Sequence, residues 1–164
     1  MAEYRYLVAL GSNLRHHRHG GPGQVLRAAL TAMEREGLAV ECASPIVRSV
    51  PLGPSRRRYA NAATLVSTGK EPGELLASLK AIEARFGRRR GQRWSARVLD
   101  LDIVLWSNGA YATKDLVIPH PQFRRRAFVL GPACAIAPAW RDPITGLTIR
   151  QLHTRLTRPR PAPR

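Results

Sequence analysis

Two aspartates, Asp100 and Asp102, are separated by a single leucine in an otherwise aliphatic segment, residues 98–106 (VLDLDIVLW). This composition predicts a β-strand, in which side chains two residues apart share a face and their backbones lie about 7 Å apart. We therefore predict that both carboxylates point to one side, with Leu99, Leu101, Ile103 and Leu105 on the other. Carboxylates at this spacing can converge on one or two Mg²⁺ ions. The alternative is an edge-strand pair neutralised by nearby arginines.

Arginine is the other residue type with an unusual distribution. The chain has 27 Lys and Arg against 11 Asp and Glu, a net charge of +16. Residues 56–58, 85–97 and 124–126 contain 12 arginines and no acid. Because the guanidinium group binds phosphate with two parallel hydrogen bonds, these segments predict phosphate-facing surfaces. A GC-rich genome explains the overall preference for arginine over lysine equally well.

An arginine-rich segment that leads into a strand with two aspartates supplies what phosphoryl-type transfer needs, a metal and cations around the phosphates. The sequence contains neither G-x-x-x-x-G-K-[ST] nor a G-x-G-x-x-G turn after a strand, so metal and arginines would have to hold a nucleoside triphosphate. Tyr59, Trp94 and Phe128 lie near these elements. Each could stack on a flat heterocycle or pack in the core.

The elements that position these residues follow the order βαββαβ. We predict strands at 5–10, 38–50, 59–67 and 98–106, and helices that begin near Pro22 and Pro72 and end at Gly37 and Gly87. This order predicts an α+β fold with a ferredoxin-like core on an antiparallel sheet. Helices are also predicted at 124–136 and 148–156. Residues 1–156 would form one domain and residues 157–164 a frayed tail rich in Pro and Arg.

Several classes of protein are disfavoured by composition. At 164 residues and 44% hydrophobic content, the chain fits one globular domain. It has no apolar run long enough to span a membrane and no signal-peptide pattern, so we expect a cytoplasmic protein without membrane contact. Cys42 and Cys134 suggest neither a disulfide framework nor a zinc site. For His16, His17 and His19, a solvated loop is favoured over a metal site.

Five motifs in collinear order carry a family resemblance. They are LGSNL at 10–14, PLGP at 51–54, YANA at 59–62, RWSARVLDLDI at 93–103 and IPH at 118–120. Together they resemble 6-hydroxymethyl-7,8-dihydropterin pyrophosphokinase of folate biosynthesis, over residues 5 to about 155. That family transfers the β,γ-pyrophosphoryl group of ATP to the hydroxymethyl group of a reduced pterin and releases AMP. The resemblance therefore implies ATP and the pterin alcohol as substrates.

The resemblance also implies roles for individual residues. Asp100 and Asp102 would ligate two Mg²⁺ ions, and Arg88 and Arg97 would contact phosphates and assist catalysis. The implied ATP-binding residues are Glu83, Arg90, Trp94, Ile103, His120 and Arg126. The implied pterin-binding residues are Ser49, Val50, Leu52, Tyr59, Asn61 and Phe128.

The sequence departs from the family pattern at Ser95-Ala96, where Gly-Pro is common, and at Lys80, Asp115 and Pro121. Two other functions stay open. An RNA-binding module of RRM-like topology shares the βαββαβ order, but the strand at 59–67 has one aromatic residue and no RRM signature. A two-metal nucleotidyltransferase would use the same aspartates and leave AMP on the acceptor. We expect a monomer without a specific nucleic-acid partner.

Overall fold

A four-stranded antiparallel path with one short additional strand forms the centre of the molecule. The structure is a computed structural model, and it describes residues 3–49, 59–87 and 98–163. The strands are β1 (Tyr4–Ser12), β2 (Ala39–Ala43), β3 (Val47–Ser49), β4 (Tyr59–Thr68), β5 (Asp100–Trp106), β6 (Tyr111–Ala112) and β7 (Val117–Ile118). The helices are α1 (Pro22–Arg35), α2 (Pro72–Arg85), α3 (Ala127–Ile136) and α4 (Ile149–Thr157), with a 3-10 turn at Phe123–Arg125. The strand order is β2-β4-β1-β5, β3 pairs with β4, and β6 pairs with β7 in a separate ribbon.

Each face of the sheet has its own apolar core. The first core joins β1, β4 and β5 to α1 and α2 and includes Leu26, Met33, Leu79 and Ile82. The second core joins the opposite face to α3 and α4 and includes Leu7, Leu65, Leu130 and Leu152. The molecule is thus a mixed α/β structure in which two pairs of helices cover an antiparallel sheet.

Local sequence signals explain where two of the helices begin. Pro72 occupies the first turn of α2, where its missing N–H is not needed, and the Glu71 N–H donates to Glu74 Oε2 at 2.8 Å. At α4, the Thr148 hydroxyl accepts a hydrogen bond from the Gln151 N–H at 3.1 Å, and Gln151 Oε1 accepts from the Thr148 N–H at 2.9 Å. These reciprocal bonds satisfy N–H groups that the first helical turn leaves without a partner.

Two predicted elements are each divided in the structure. The strand predicted at 38–50 is split into β2 and β3 because the Ser44 hydroxyl accepts the Ala63 N–H at 2.9 Å and Pro45 has no N–H to continue the ladder. The helix predicted at 124–136 begins as a 3-10 turn, and α3 starts only after Arg126, whose backbone is extended at φ −112° and ψ 98°.

The face assignment of β5 is partly wrong. Leu7 pairs with Leu105 and Val8 with Ile103, so Val104 is an extra residue that forms a β-bulge. Leu99, Leu101 and Ile103 lie in the first core as predicted, but Leu105 lies in the second core. The bulge inverts the alternation of side chains in the second half of the strand.

Two further features bear on the expectations from sequence. In the described ranges, no helix has the length and apolarity that a membrane span requires. Residues 158–163 have no regular secondary structure and are exposed.

Candidate functional site

Strand pairing places the candidate polar residues in rows across one face of the sheet. Gly11 on β1 is paired with Asp100 on one side and with Asn61 on the other, and Asn61 is paired in turn with Val47 on β3. One step along, Ala9 is paired with Asp102 and Ala63. Because Ala9 and Ala63 belong to the second core, this face is the one that α3 covers. Asp100 and Asp102 therefore share a face, as their spacing predicts.

Gly11 leaves space between Asp100 and Asn61. A Cβ atom at Gly11 would lie 3.3 Å from Asn61 Oδ1, closer than most Cβ contacts. Neighbouring strands are about 4.8 Å apart, so the backbones of Asp100 and Asn61 are about 10 Å apart across Gly11. The missing side chain thus allows Asn61 Oδ1 to approach the Gly11 backbone closely.

A cleft of about 350 Å³ lies along the outer edge of β5. Its walls come from α2, β5 and the segment 114–121. The predicted site residues that line it are Glu83, Asp100, Asp102, Ile103 and His120. The structure thus brings five residues from separate parts of the chain into one concave surface, with both aspartates on its wall.

His120 is held in a defined orientation beside Asp102. Its Nδ1 accepts a hydrogen bond from the Gln122 N–H at 3.1 Å, and its Nε2 lies 4.0 Å from Asp102 Oδ2. Since Nδ1 acts as an acceptor, the proton of the neutral ring is on Nε2. Burial lowers the pKa of His120, and Arg126 acts in the same direction, against the opposing effect of Asp102. The ring is therefore neutral near pH 7 and presents an N–H donor towards the cleft.

Glu83 is almost entirely buried, at 7% exposure, although it is charged at neutral pH in its ordinary state. It lies on α2 one turn after Lys80, and both side chains line the cleft. The cleft thus contains both carboxylates and cations.

The described pterin-site candidates lie further along the same face of the sheet. Tyr59 is paired with Ser49, and Asn61 lies two residues beyond Tyr59 on the same face of β4. Phe128 is in the first turn of α3, which packs on β4. Tyr59 and Phe128 are 42% and 49% exposed, unusually high for aromatic side chains beside a sheet. Arg126 lies next to Phe128, with its guanidinium carbon 5.7 Å from the ring centroid.

Six of the predicted site residues lie outside the described residues. They are Val50, Leu52, Arg88, Arg90, Trp94 and Arg97. Conversely, the cleft contains charged residues that the sequence did not assign to the site, namely Lys80, Lys114 and Asp115. Lys80 could have been found from its helical spacing to Glu83. No local pattern marks Lys114 and Asp115, because only the tertiary fold brings their loop to β5.

In the described ranges, no group of three or more His, Cys, Asp or Glu side chains is arranged to hold a metal ion. The two aspartates are oxygen donors at the edge of a polar cleft, which is the kind of partial ligand set that Mg²⁺ shares with substrate phosphates and water. The residues present therefore fit Mg²⁺ bound together with a phosphate substrate.

The fold and the cleft define an α/β protein whose paired carboxylates lie at the edge of an antiparallel sheet. The sequence profile of 7,8-dihydro-6-hydroxymethylpterin-pyrophosphokinase (HPPK) matches residues 7–138. The chain belongs to this family.

Individual relatives agree with this assignment. The chain is 40% identical to 2-amino-4-hydroxy-6-hydroxymethyldihydropteridine pyrophosphokinase from Synechocystis sp., over 89% of this chain and 73% of the relative. It is also 40% identical to the protein of the same name from Pseudomonas aeruginosa, over 85% of this chain and 84% of the relative. The folate synthesis bifunctional protein of Arabidopsis thaliana is 36% identical over 79% of this chain, which spans only 23% of that longer protein.

Solved structures support the same fold. The wild-type HPPK-DHPS of Plasmodium falciparum matches with a TM-score of 0.74 at 14% identity and covers 94% of this chain. The chain spans 41% of the length of that structure. At this identity the comparison concerns the fold alone.

Proposed function

We propose that Asp100 and Asp102 are the centre of a pyrophosphoryl transfer from ATP to 6-hydroxymethyl-7,8-dihydropterin, which yields AMP and the pterin diphosphate. Membership of the family and the names of the relatives support this reaction, which belongs to folate biosynthesis. The observation that carries the residue assignment is the row across the sheet. Asp100 lines the cleft on one side and is aligned through Gly11 with Asn61 on the other.

Asp100 and Asp102 would hold two Mg²⁺ ions together with phosphate oxygens of ATP. Mg²⁺ bound there would neutralise charge on the triphosphate and polarise the phosphoryl group that is transferred. The chain's own contribution is to fix two carboxylates on one face of a strand. Backbone pairing with Ala9 and Gly11 holds that strand, so the carboxylates need little reorganisation when substrate arrives.

On the ATP side, the neutral His120 ring would donate its Nε2–H to a phosphate oxygen, since its Nδ1 already accepts a bond from Gln122. Lys80 and Lys114 would add positive charge along the same wall. Glu83 and Ile103 would form the remaining contacts with the nucleotide, and Arg126 would approach it from the start of α3. A cation that is aimed at developing negative charge in a partly closed cleft stabilises it more than water does.

On the pterin side, Tyr59 and Phe128 would stack on the two faces of the heterocycle, which explains why both rings are left exposed. The Asn61 amide would hydrogen-bond to the edge of the ring system and Ser49 would flank it. The hydroxymethyl group would then lie towards Asp100, where the transferred group is bound. Val50 and Leu52 would complete this pocket.

The arginine-rich segment contributes four further predictions. We propose that Arg88 and Arg97 assist catalysis at the phosphates and that Arg90 and Trp94 contact ATP. These positions lie outside the described residues, and the resemblance of the sequence to the family supports the proposal.

We also propose that the sheet and the first two helices form a ferredoxin-like core. The strand order β2-β4-β1-β5, with every neighbouring pair antiparallel, supports this proposal. A domain at residues 1–156 with a tail at 157–164, a monomeric state and a cytoplasmic location stay predictions. The family assignment does not favour the RNA-binding module or the nucleotidyltransferase.

Phosphorus NMR of a reaction with ATP, Mg²⁺ and the pterin alcohol tests the function. We expect AMP and a pterin diphosphate as the products. Formation of ADP and a pterin monophosphate, or of an adenylated pterin, would refute the proposed transfer.

The residue assignment is tested with a matched pair of variants. Asp102→Asn and Asp115→Asn each remove one carboxylate from the same cleft. We expect only Asp102→Asn to lower kcat strongly. Equal losses in the two variants would mean that cleft charge, rather than a metal ligand, is responsible.

A further inference from the structure

The C-terminal quarter of the chain carries a strong positive charge, of which the proposed pyrophosphoryl transfer uses only Arg126. Residues 121–164 contain nine arginines and one acid, Asp142. Asp142 has 0% exposure and is bound by Arg124 through two hydrogen bonds, so it contributes no negative charge to the surface. The remaining cations of this segment therefore act without a local counter-charge from the segment itself.

Helix α4 concentrates this charge on one face. Ile149 and Leu152 are buried in the second core and fix the orientation of the helix. Arg150, Arg155 and Arg158 are exposed. At 100° per residue Arg150 and Arg155 are about 140° apart on the helix circumference, and the arc between them lies opposite the buried side. Arg158 follows directly after Thr157, the last residue of α4. The other exposed positions on that face are Gln151, Thr154 and Thr157.

The cationic face continues beyond the helix. Arg160 is exposed in the segment that follows α4, where the prolines at 159, 161 and 163 restrict the backbone. In the part of the chain that the structure describes, the only ion pair formed by residues 121–163 is that between Arg124 and Asp142, apart from the contact between His120 and Asp102 next to it. The surface formed by Arg150, Arg155, Arg158 and Arg160 is here called the α4 cationic face.

We infer that the α4 cationic face binds the phosphodiester backbone of RNA without sequence preference, as an activity separate from pyrophosphoryl transfer. All four cations are arginines, whose planar guanidinium groups match phosphate oxygens. The face has polar Gln and Thr side chains between them, which can hydrogen-bond to phosphate and to ribose hydroxyls. It contains no aromatic residue that could stack on a base, so it would recognise the backbone and not the sequence.

An anionic membrane fits this face less well. An amphipathic helix binds a bilayer through apolar residues that it inserts below the headgroups. In α4 the apolar residues Ile149 and Leu152 are already buried in the protein core, and only Leu156, at 39% exposure, is accessible. The arginines of α4 are therefore accessible to a ligand, whereas most of its apolar side chains are buried against the protein core and cannot insert into a bilayer.

The face is also separate from the candidate active site. The cleft is formed by α2, β5 and the segment 114–121, and none of the four arginines lines it. Neutralising them should therefore leave pyrophosphoryl transfer intact, which makes the inference testable apart from the proposed function.

The experiment measures binding of the full chain to a fluorescein-labelled 20-nucleotide poly(U) RNA by anisotropy as a function of salt. The test variant is Arg150→Gln/Arg155→Gln/Arg158→Gln. The control variant, Arg18→Gln/Arg27→Gln/Arg35→Gln, removes the same charge from exposed positions before and on α1, which covers the opposite face of the sheet. Each contacted phosphate contributes about −0.7 to the slope of log K against log[salt] for a single strand, so the test variant should lose about 2 from that slope.

We expect RNA affinity to fall at least tenfold in the test variant and about twofold or less in the control, with kcat unchanged in both. Equal losses in both variants would show that total charge alone drives binding and would overturn the inference. Absence of RNA binding by the unmodified chain at 50 mM salt would also overturn it. So would binding to anionic vesicles of phosphatidylglycerol and phosphatidylcholine that exceeds RNA binding and is lost in the test variant.

Discussion

Asp142 and Arg124 form a buried ion pair whose two halves should differ in their importance for stability. Asp142 is fully buried, whereas the side chain of Arg124 retains 26% of its exposure. The Arg124 guanidinium donates to the two carboxylate oxygens at 2.6 and 2.8 Å, and the Thr145 hydroxyl and the Ile144 N–H donate at 2.7 and 3.0 Å. Removal of Arg124 leaves the buried carboxylate of Asp142 without its partner cation. Removal of Asp142 leaves a cation that can still be hydrated.

We therefore expect Arg124→Met to lower the free energy of unfolding by about 3–5 kcal/mol, the cost of removing one partner from a buried pair. Asp142→Asn should cost less, about 2 kcal/mol, because the amide oxygen can still accept from the Ile144 N–H, the amide NH2 can donate to the Thr145 hydroxyl, and the freed arginine is hydrated. The double variant should lose less unfolding free energy than the two single variants together, since it leaves no buried charge without a partner. Urea denaturation at pH 7 measures all three values.

A pH comparison isolates the electrostatic part of this effect. Burial alone would raise the pKa of Asp142, but the hydrogen bonds from Arg124, Thr145 and Ile144 outweigh burial and hold the pKa below its ordinary value of 3.8. The wild-type chain thus keeps this contribution above pH 3.8 and loses it as the pH falls through the lowered folded pKa. Without Arg124, burial should raise the pKa of Asp142. The loss of unfolding free energy in Arg124→Met, relative to the wild-type chain, should therefore become smaller as the pH is lowered from 7 to 5. A loss of unfolding free energy below about 1 kcal/mol in Arg124→Met, or a loss that is equal at pH 7 and pH 5, would refute this reasoning.

The remaining predictions concern the metal, the carboxylates and one histidine. Asp100→Asn and Asp102→Asn should each lower kcat by about 10² to 10⁴ in steady-state assays with saturating Mg²⁺, because several kcal/mol of charge stabilisation are lost at a factor of ten per 1.36 kcal/mol; a change below tenfold in both would exclude them as ligands. Excess EDTA should abolish turnover, and restoring Mg²⁺ should recover it; residual turnover in EDTA would contradict a metal requirement. His16 Nδ1 accepts hydrogen bonds from the N–H groups of Arg18 and His19 at 3.0 and 3.2 Å, and burial, with help from neighbouring positive charge, lowers its pKa below 6.5. The unfolded chain therefore binds more protons than the folded chain just below pH 6.5, and stability falls as the pH falls there. His16→Asn keeps a side-chain acceptor but cannot titrate, so the slope of unfolding free energy against pH between 5 and 6.5 should become shallower; an unchanged slope would show that His16 does not contribute.

Period and spacing were sufficient to predict most of the sheet and its helices. The alternation in residues 98–106 placed Asp100 and Asp102 together, and the proline and glycine positions marked the ends of α1 and α2. Where prediction failed, a tertiary contact decided the outcome. Ser44 interrupts a strand by bonding to Ala63, which is 19 residues away in the chain. The bulge at Val104 depends on pairing with β1, which no local pattern of β5 encodes.

Some residues of the candidate site could likewise be predicted from the sequence, and others could not. Residue types and spacing led to the two aspartates, and the family resemblance implied Glu83 and His120; the structure places all four around one cleft. No local pattern indicated that Lys114 and Asp115 line the cleft, because a loop residue acquires its neighbours only from the folding of distant segments. The alignment of Asp100 with Asn61 through Gly11 likewise follows from strand register, which sequence spacing alone does not determine.

The bulge at Val104 also bears on how the chain avoids misfolding. The bulge reverses the alternation of side chains between the two halves of β5. A shift of the whole strand by one residue would therefore place side chains of both halves on the wrong face of the sheet. A one-residue slip would turn Asp100 and Asp102 into the core that α1 and α2 cover, where an ionised carboxylate without a partner costs many kcal/mol. The same slip would turn Leu99, Leu101 and Ile103 away from that core. The two carboxylates proposed to hold the metal ions would thus also select the correct strand pairing during folding, so a variant that neutralises both should accumulate more misregistered chains on refolding.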